Sequence, residues 1–446
     1  MTAVADAAAP LQLAQAAIVG APSPAAAGER SLLQSTLREL LVRPLAMEDA
    51  VRVVLLGNRR IQSLYFETGL GEAEIVAAVN ASRSTDQSPG DVERSFVVAA
   101  FGSKRGAAAS EPGLREAMAA RLTGAAAAYR LAARVRKTYA AAVAAQQTVR
   151  YFEQVGAAAE SSAELTRRMV RIGNLPRLSE LREDAFSGEV FAQLARARQN
   201  AVAARERLVR LLGLWGSDAG FALPDRLLDL PTRPLEIADV EGEALRQRLD
   251  LHAHRLEIVA KVKDIDQEGS ELTQVLAQGQ PRYIEIDEFD YLTERGEIVS
   301  PARVRAVRVP LFDRAFARTE MKARSLMRKA DRFSELAIDA RSEAREAYLA
   351  YRTAYDVARH YRDKVVPARK QISDEMLLRY NGMLVSVFDL LSDSREQVAS
   401  VLAAIEAMRG FWVAEAELRL ALVAGADAEA DDGMSVAVPA SGGKAH

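Results

Sequence analysis

The apolar positions of this chain recur at helical spacing over long distances, and the prolines that interrupt them stand far apart. No proline occurs between Pro112 and Pro176, between Pro310 and Pro367, or between Pro367 and Pro439. A proline inside a helix costs about 3 kcal/mol, so each window permits a very long helix. At 1.5 Å per residue a helix of about 60 residues reaches roughly 90 Å, and it must pack along its sides to be stable. Small residues between Ala140 and Ala145, and between Ala192 and Ala204, allow helices to approach closely. Arg and Glu fill the remaining positions as solvated faces and i,i+4 pairs. Two segments break the pattern. Ser95–Phe101 is apolar and β-branched and predicts a strand, followed by a polar stretch from Gly102 to Pro112. Arg282–Phe312 predicts a hairpin, with Tyr283, Ile284 and Ile286 before a turn at Glu294-Arg295-Gly296-Glu297 and Val304, Val307 and Val309 after it. The order is helices, strands, helices, and then the same again.

That order predicts a duplication. Sliding the chain by 209 positions aligns Arg171–Leu212 with Tyr380–Ala421 without a gap. Gly173 falls on Gly382, Leu175 on Leu384, Glu180 on Asp389, Leu181 on Leu390 and Asp184 on Asp393. Further along, Ala195 meets Ala404, Glu206 meets Glu415, and Arg210-Leu211 meet Arg419-Leu420; upstream, Arg150 meets Arg359. A duplicated helix–turn–helix unit follows.

Composition narrows the function. The 446 residues are 49% hydrophobic but only 6% aromatic, a mixture that suits long helices better than a bulky core. Fifty-nine Lys and Arg against 61 Asp and Glu leave a formal charge of −2, which removes the electrostatic case for a nucleic-acid partner. With no cysteine, disulfides, thiolate metal sites, a Cys nucleophile and a lipidated Cys are excluded for this sequence. No apolar run approaches the roughly 18 residues that a spanning helix needs. The Ala- and Pro-rich start lacks the basic region of a secretion signal, and residues 1–30 are expected to form a disordered leader, as residues 425–446 form a disordered tail. No phosphate loop, triad or metal-ligand cluster is present, so neither catalysis nor a cofactor is expected.

Five phrases then resemble the TolC family of outer-membrane efflux channels, in the family's order. Ala50-Val-Arg-Val-Val-Leu-Leu-Gly-Asn-Arg-Arg-Ile61 is similar to its opening helix, and Ala244-Leu-Arg-Gln-Arg-Leu-Asp-Leu251 to the counterpart in the second half. Leu223–Pro231 resembles the linker between the halves, Val309-Pro-Leu-Phe-Asp313 the entry into the next long helix, and Arg379–Leu391 the turn near the periplasmic tip. The resemblance covers roughly residues 47 to 424. It implies a mainly α fold of very long antiparallel helices in two repeated halves, residues 31–235 and 236–424, with a small β-strand portion in each. It further implies a homotrimer that joins an α-helical tunnel in the periplasm to a β-barrel in outer-membrane lipid. A periplasmic adaptor and an inner-membrane pump would supply energy and selectivity, the chain acting as a passive conduit for small molecules or, by likeness to the metal-efflux branch, metal ions. The strand segments are weakly alternating: Tyr283–Asp290 is acidic and Arg303–Arg308 carries three arginines. A TolC-derived helical scaffold without its barrel is therefore the second expectation.

By motif position, the resemblance makes Asp389 and Glu180 carboxylates of the tunnel aperture, with Asp393 and Asp184 four residues further along the same helix face. A ring of them would favour cations and repel anions; an ordinary solvated acidic face is the plain alternative. Gly173 and Gly382 are expected as turn residues at the tip, free to adopt positive φ. Met383 with Leu384 and Val385 is expected to pack, and Trp215 and Trp412 to lie in the core or at an interface. His252 and His254 point about 200° apart on a helix, which argues against one metal ion between them.

Overall fold

The computed structural model describes residues 24–59, 61–62, 65, 70–83, 91–101, 112–268, 286–288, 302–304, 317–382 and 384–425. Among the described residues four shorter helices come first: α1 (Pro24–Leu41), α2 (Met47–Gly57), α3 (Glu72–Arg83) and α4 (Asp91–Phe101). Helix α1 begins inside the stretch expected as a leader. The first long hairpin follows, α5 (Pro112–Arg171) and α6 (Arg177–Leu212), of 60 and 36 residues. The proline spacing foretold this length, and Pro112 occupies the helix start, where a missing N–H costs nothing. A 3-10 turn (Gly216–Gly220) and an extended linker lead to α7 (Val240–Gln247) and α8 (Leu249–Glu268). Two short strands, β1 (Ile286–Glu288) and β2 (Ala302–Val304), pair antiparallel with Ile286 opposite Val304, a register centred on Arg295. The expected hairpin is thus present where it is described; its turn, and the phrase Val309–Asp313, lie outside the described residues.

The second long hairpin is α9 (Ala317–His360), a π-helical turn (Tyr361–Val365), α10 (Val366–Asn381) and α11 (Val387–Val423). Pro367 does not end the helix as the proline windows suggest. Its ring would clash with the carbonyl four residues back, and the π turn spans that residue, Asp363, so the rod continues with one wide turn.

The largest difference from the sequence reading is α4. Ser95–Phe101 is helical, and its apolar residues explain why. Val92, Phe96, Val97, Ala100 and Phe101 recur at i+3 and i+4 and are buried, while Asp91 and Glu93 occupy the first turn, where carboxylates favour a helix. Tertiary burial at helical spacing overrides β-propensity.

The main core gathers α2, α4, the alanine-rich middle of α5, the end of α6 and the end of α11. Buried Ala125, Ala128, Ala132 and Ala140 let neighbouring helices approach α5 closely. At its centre the Arg136 side chain of α5, almost wholly buried, holds two carboxylates. Its Nη1 and Nη2 each donate to Glu48 at 2.7 Å, and its Nε and Nη2 donate to Glu93 at 3.2 and 2.8 Å. Burial alone would raise the Glu93 pKa, but the charge and hydrogen bonds of Arg136 outweigh it and hold the carboxyl below its ordinary range.

The linker straps the two halves together with backbone hydrogen bonds. The Leu227 N–H donates to Gln147 of α5, Tyr355 of α9 donates to the carbonyls of Pro231 and Thr232, and Trp412 of α11 donates to the Leu228 carbonyl. Trp412 is a core residue as expected; Trp215 is not, being 82% exposed.

The two tip turns differ. At the first, Asn174 N–H bonds Met169 O and Gly173 N–H bonds Val170 O, a Schellman closure with Gly173 at φ +80°. At the second, Gly382 has φ −80°, and the closing bond runs from Leu384 N–H to Arg379 O, one residue later than an offset of 209 requires. Gly382 is a turn residue without the positive φ expected of it.

Four variants test these points. Gly173→Ala, forced into the left-handed region, should cost about 1–2 kcal/mol, whereas Gly382→Ala, whose Cβ meets its nearest atoms at 3.5 Å and beyond, should change the urea midpoint little. Arg136→Met strands Glu93 in the core and should cost about 3–5 kcal/mol, with Arg136→Met/Glu93→Leu recovering most of it. Equal losses in the single and double variants would contradict the clamp.

Candidate functional site: the helical tip and its flanks

The turns at residues 172–176 and 382–386 lie at the same end of the molecule. Arg395, early in α11, stacks over the Phe186 ring early in α6 at 5.1 Å, and its Nη2 is 3.7 Å from Glu189 Oε2. A small second core of Phe152, Ala159, Phe186, Val190 and Ala197 fills the stalk.

Asp389 is exposed and forms a capping box with Ser386. The carboxylate accepts from the Ser386 N–H at 3.0 Å and hydroxyl at 2.7 Å, while Asp389 N–H donates back to the hydroxyl at 3.3 Å. The Ser386 hydroxyl and then its N–H lower the Asp389 pKa, so this carboxylate stays charged across the neutral range. Asp393 is buried with Oδ2 unpartnered, so the two aspartates do not share a solvent face. In the first repeat Glu180 is half-exposed and Asp184 is exposed, 3.2 Å from Arg167 of α5. Met383 lies outside the described residues, and Leu384 is exposed rather than packed.

The sequence reading missed Glu183. It is buried, with both carboxylate oxygens lacking a hydrogen bond, and burial raises its pKa against the pull of Ser162 and Arg395. The signal was in the stripe Ser179, Glu183, Phe186, Val190 and Ala197, an inward face with a carboxylate in it. Both tip turns are five residues long, 172–176 and 382–386, and the structural offset at the tip is 210. It superposes buried Glu183 on buried Asp393, and buried Ala204, Leu208 and Leu212 on buried Ala414, Leu418 and Leu422. Residues aligned at 209 point differently: Glu206 is exposed and Glu415 is buried.

The long helices carry apolar side chains on their outer faces. Phe191 and Val202 on α6, and Ile338 and Leu349 on α9, stand exposed 11 residues apart, a spacing that returns to nearly the same face of a straight helix. Between α9 and α11 lies an open groove of about 510 Å³, lined by Leu349, Ala350, Ala354, Val357, Ala407 and Gly410 among others.

His252 is buried, with Nε2 2.9 Å from the Arg246 carbonyl, while His254 is partly exposed. The pair is divided between core and surface. Among the described residues no group of three or more His, Asp or Glu is placed to hold a metal, and no helix is long and apolar enough to cross a membrane.

Two long hairpins in tandem, joined by a strap and preceded by short helices, form the TolC-like fold of outer-membrane channels. A membrane protein from Pseudomonas aeruginosa superposes with a TM-score of 0.58 at 17% identity, over 87% of this chain and 92% of its own. The channel-forming protein CusC gives 0.58 at 14%, over 85% and 92%, and the Campylobacter jejuni CmeC outer membrane channel gives 0.56 at 10%, over 85% and 86%. No protein-family model and no curated protein matches the sequence.

Burial lowers the His252 pKa from 6.5 to about 4. The unfolded chain therefore takes up this proton near pH 6.5 and the folded chain only near 4. Its contribution to stability is complete above pH 6.5 and is lost as the pH falls toward 4, by up to about 3 kcal/mol. The urea midpoint of His252→Gln should accordingly fall less than that of the parent between pH 7 and pH 4.5; parallel curves would contradict a buried neutral imidazole.

Proposed function

We propose that this chain is a TolC-family outer-membrane factor, three copies of which form the helical exit duct of a tripartite efflux or secretion system. The duct stands at the outer membrane, extends into the periplasm, and receives cargo through a periplasmic adaptor from an inner-membrane pump. It conducts passively: small molecules or metal ions pass through, and the pump selects them. The observation that carries this reading is the set of exposed apolar stripes on α6 and α9. Large apolar residues in phase along a long helix face need a covering partner, and copies of the chain packed side by side supply one.

Within that assembly Asp389, Glu180 and Asp184 ring the periplasmic end, three of each, and bias it toward cations. Asp393 and Glu183 are buried within each subunit and stand apart from that ring. The exposed carboxylates are also caps and surface pairs within the chain, so their part in conduction is tested separately from folding.

The assembly predicts a species of three 48.5 kDa chains in the detergent-extracted envelope fraction. Phe191→Asp and Leu349→Asp together should convert it to a folded monomer with an unchanged helical circular dichroism spectrum. A parent protein that runs as a monomer throughout would overturn the duct. Once the trimer is in hand, Asp389→Asn should lower the cation preference of adaptor-dependent efflux with little loss of trimer.

A further inference from the structure

Taking the duct reading as its base, the structure distinguishes the flank of the helical wall that can face the axis. The strap crosses three long helices in turn. The Leu227 N–H meets Gln147 of α5, the Leu228 carbonyl meets Trp412 of α11, and the carbonyls of Pro231 and Thr232 meet Tyr355 of α9. Farther along, the Leu235 and Ile237 N–H groups donate to the Tyr351 and Tyr348 hydroxyls of α9. The strap therefore lies on one flank of a layer ordered α5, α11, α9. Arg136, with α2 and α4 on its two carboxylates, stands 11 residues from Gln147 and so faces the same flank of α5. This bulk is all on one side, and a closed tube has more room for bulk outside than around its axis.

The groove between α9 and α11 opens on the other flank. At about 100° per residue, Leu349, Thr353 and Val357 lie roughly half a turn around α9 from Tyr348, Tyr351 and Tyr355, and Gly410 lies about 200° around α11 from Trp412. The groove encloses about 510 Å³, within the roughly 300–1,000 Å³ of small-molecule sites. Leu349, Val357 and Ala407 give it apolar walls, and a Cβ added at Gly410 would meet nothing within 4 Å. The charged group that lines it is Glu346, which is exposed and enters no ion pair among the described residues.

We infer that this groove is a resting site on the inner wall of the duct for cargo with an apolar body and a positive charge, one site per copy. The apolar walls take the body out of water, and the Glu346 carboxylate attracts the charge. A bare metal ion is poorly served there, because one carboxylate is far short of the several oxygen ligands that such an ion takes. An open groove with a single charge holds its occupant weakly. Conduction needs that balance, with binding favourable enough for entry and weak enough for release. The pump still selects the cargo, and the wall gives an organic cation a place to pause.

The probes are tetraphenylphosphonium, an organic cation, and triphenylphosphine oxide, an uncharged relative. Binding is measured by equilibrium dialysis against the full-length trimer held in an amphipathic polymer. The parent should bind the phosphonium saturably. Gly410→Leu, which fills the groove with a better helix former, should weaken both probes by about tenfold. Glu346→Gln should weaken the phosphonium by about three- to fivefold and leave the oxide unchanged. No saturable binding in the parent, or undiminished binding in Gly410→Leu, would overturn the site. A Glu346→Gln loss shared by both probes, or by neither, would overturn its cationic class. The chain has no cysteine, so Thr353→Cys, at an exposed groove position, reports the flank by itself. In the intact trimer it should react with a small maleimide and resist a bulky polymer-linked one. Reaction with both places the groove outside the tube, reaction with neither buries it between copies, and either result overturns the inner wall. The trimer is measured independently, so an intact trimer without the site sinks this inference and leaves the duct standing. A chain that binds the phosphonium but never assembles sinks the duct, and with it the cargo role of a groove that still binds.

Discussion

The buried guanidinium of Arg136 is the interaction on which the base of the molecule depends. It lies on α5 and takes Glu48 from α2 and Glu93 from α4 into one pair of forks. A guanidinium in a core of alanine and leucine is tolerated only when its donors are met by charged acceptors. Two short helices far apart in sequence are thereby obliged to meet the longest helix at one point. Above that point the core is thick; toward the tips it thins to a stalk held by Phe152, Phe186 and Val190. The second repeat reproduces the device in weaker form. Arg345, the residue 209 positions on from Arg136, bonds Glu241 in the first turn of α7 at 2.9 Å, but at the surface.

What the sequence made legible was whatever depends on local rules. Proline spacing located the long rods, and the resemblance in five phrases located the fold. The pairing of Ile286 with Val304 falls within the segment whose composition suggested a hairpin. What it obscured was decided by tertiary packing. Ser95–Phe101 has the composition of a strand, but its buried residues fall at helical intervals and Glu93 has a partner 43 residues away. Pro367 looks like a helix end, but a single π turn absorbs it. The repeat was visible at an offset of 209, yet the tips correspond at 210, and a shift of one residue moves the aligned positions by about 100° around the helix. That shift is why Glu183, which no motif marked, is the counterpart of Asp393; Asp389, in the first turn of α11, is exposed, while Asp393, one turn further on, is buried.

The same geometry separates two jobs that sequence motifs merge. The carboxylates near the tips belong to two groups: those that cap or pair at the surface, Asp389 with Ser386 and Asp184 with Arg167, and those turned inward, Glu183 and Asp393. The first group faces solvent. The second is buried within the chain, where an unpartnered carboxylate oxygen is a cost to folding.

The central claim is that three copies enclose one tube with their tips together. Pulsed dipolar spectroscopy tests it most directly, with one nitroxide per chain on Asn174→Cys at the first tip turn. The account predicts a single intermolecular distance with the modulation depth of three coupled spins. An absence of intermolecular coupling in the assembled, detergent-extracted protein, or the depth of an isolated pair, would contradict it.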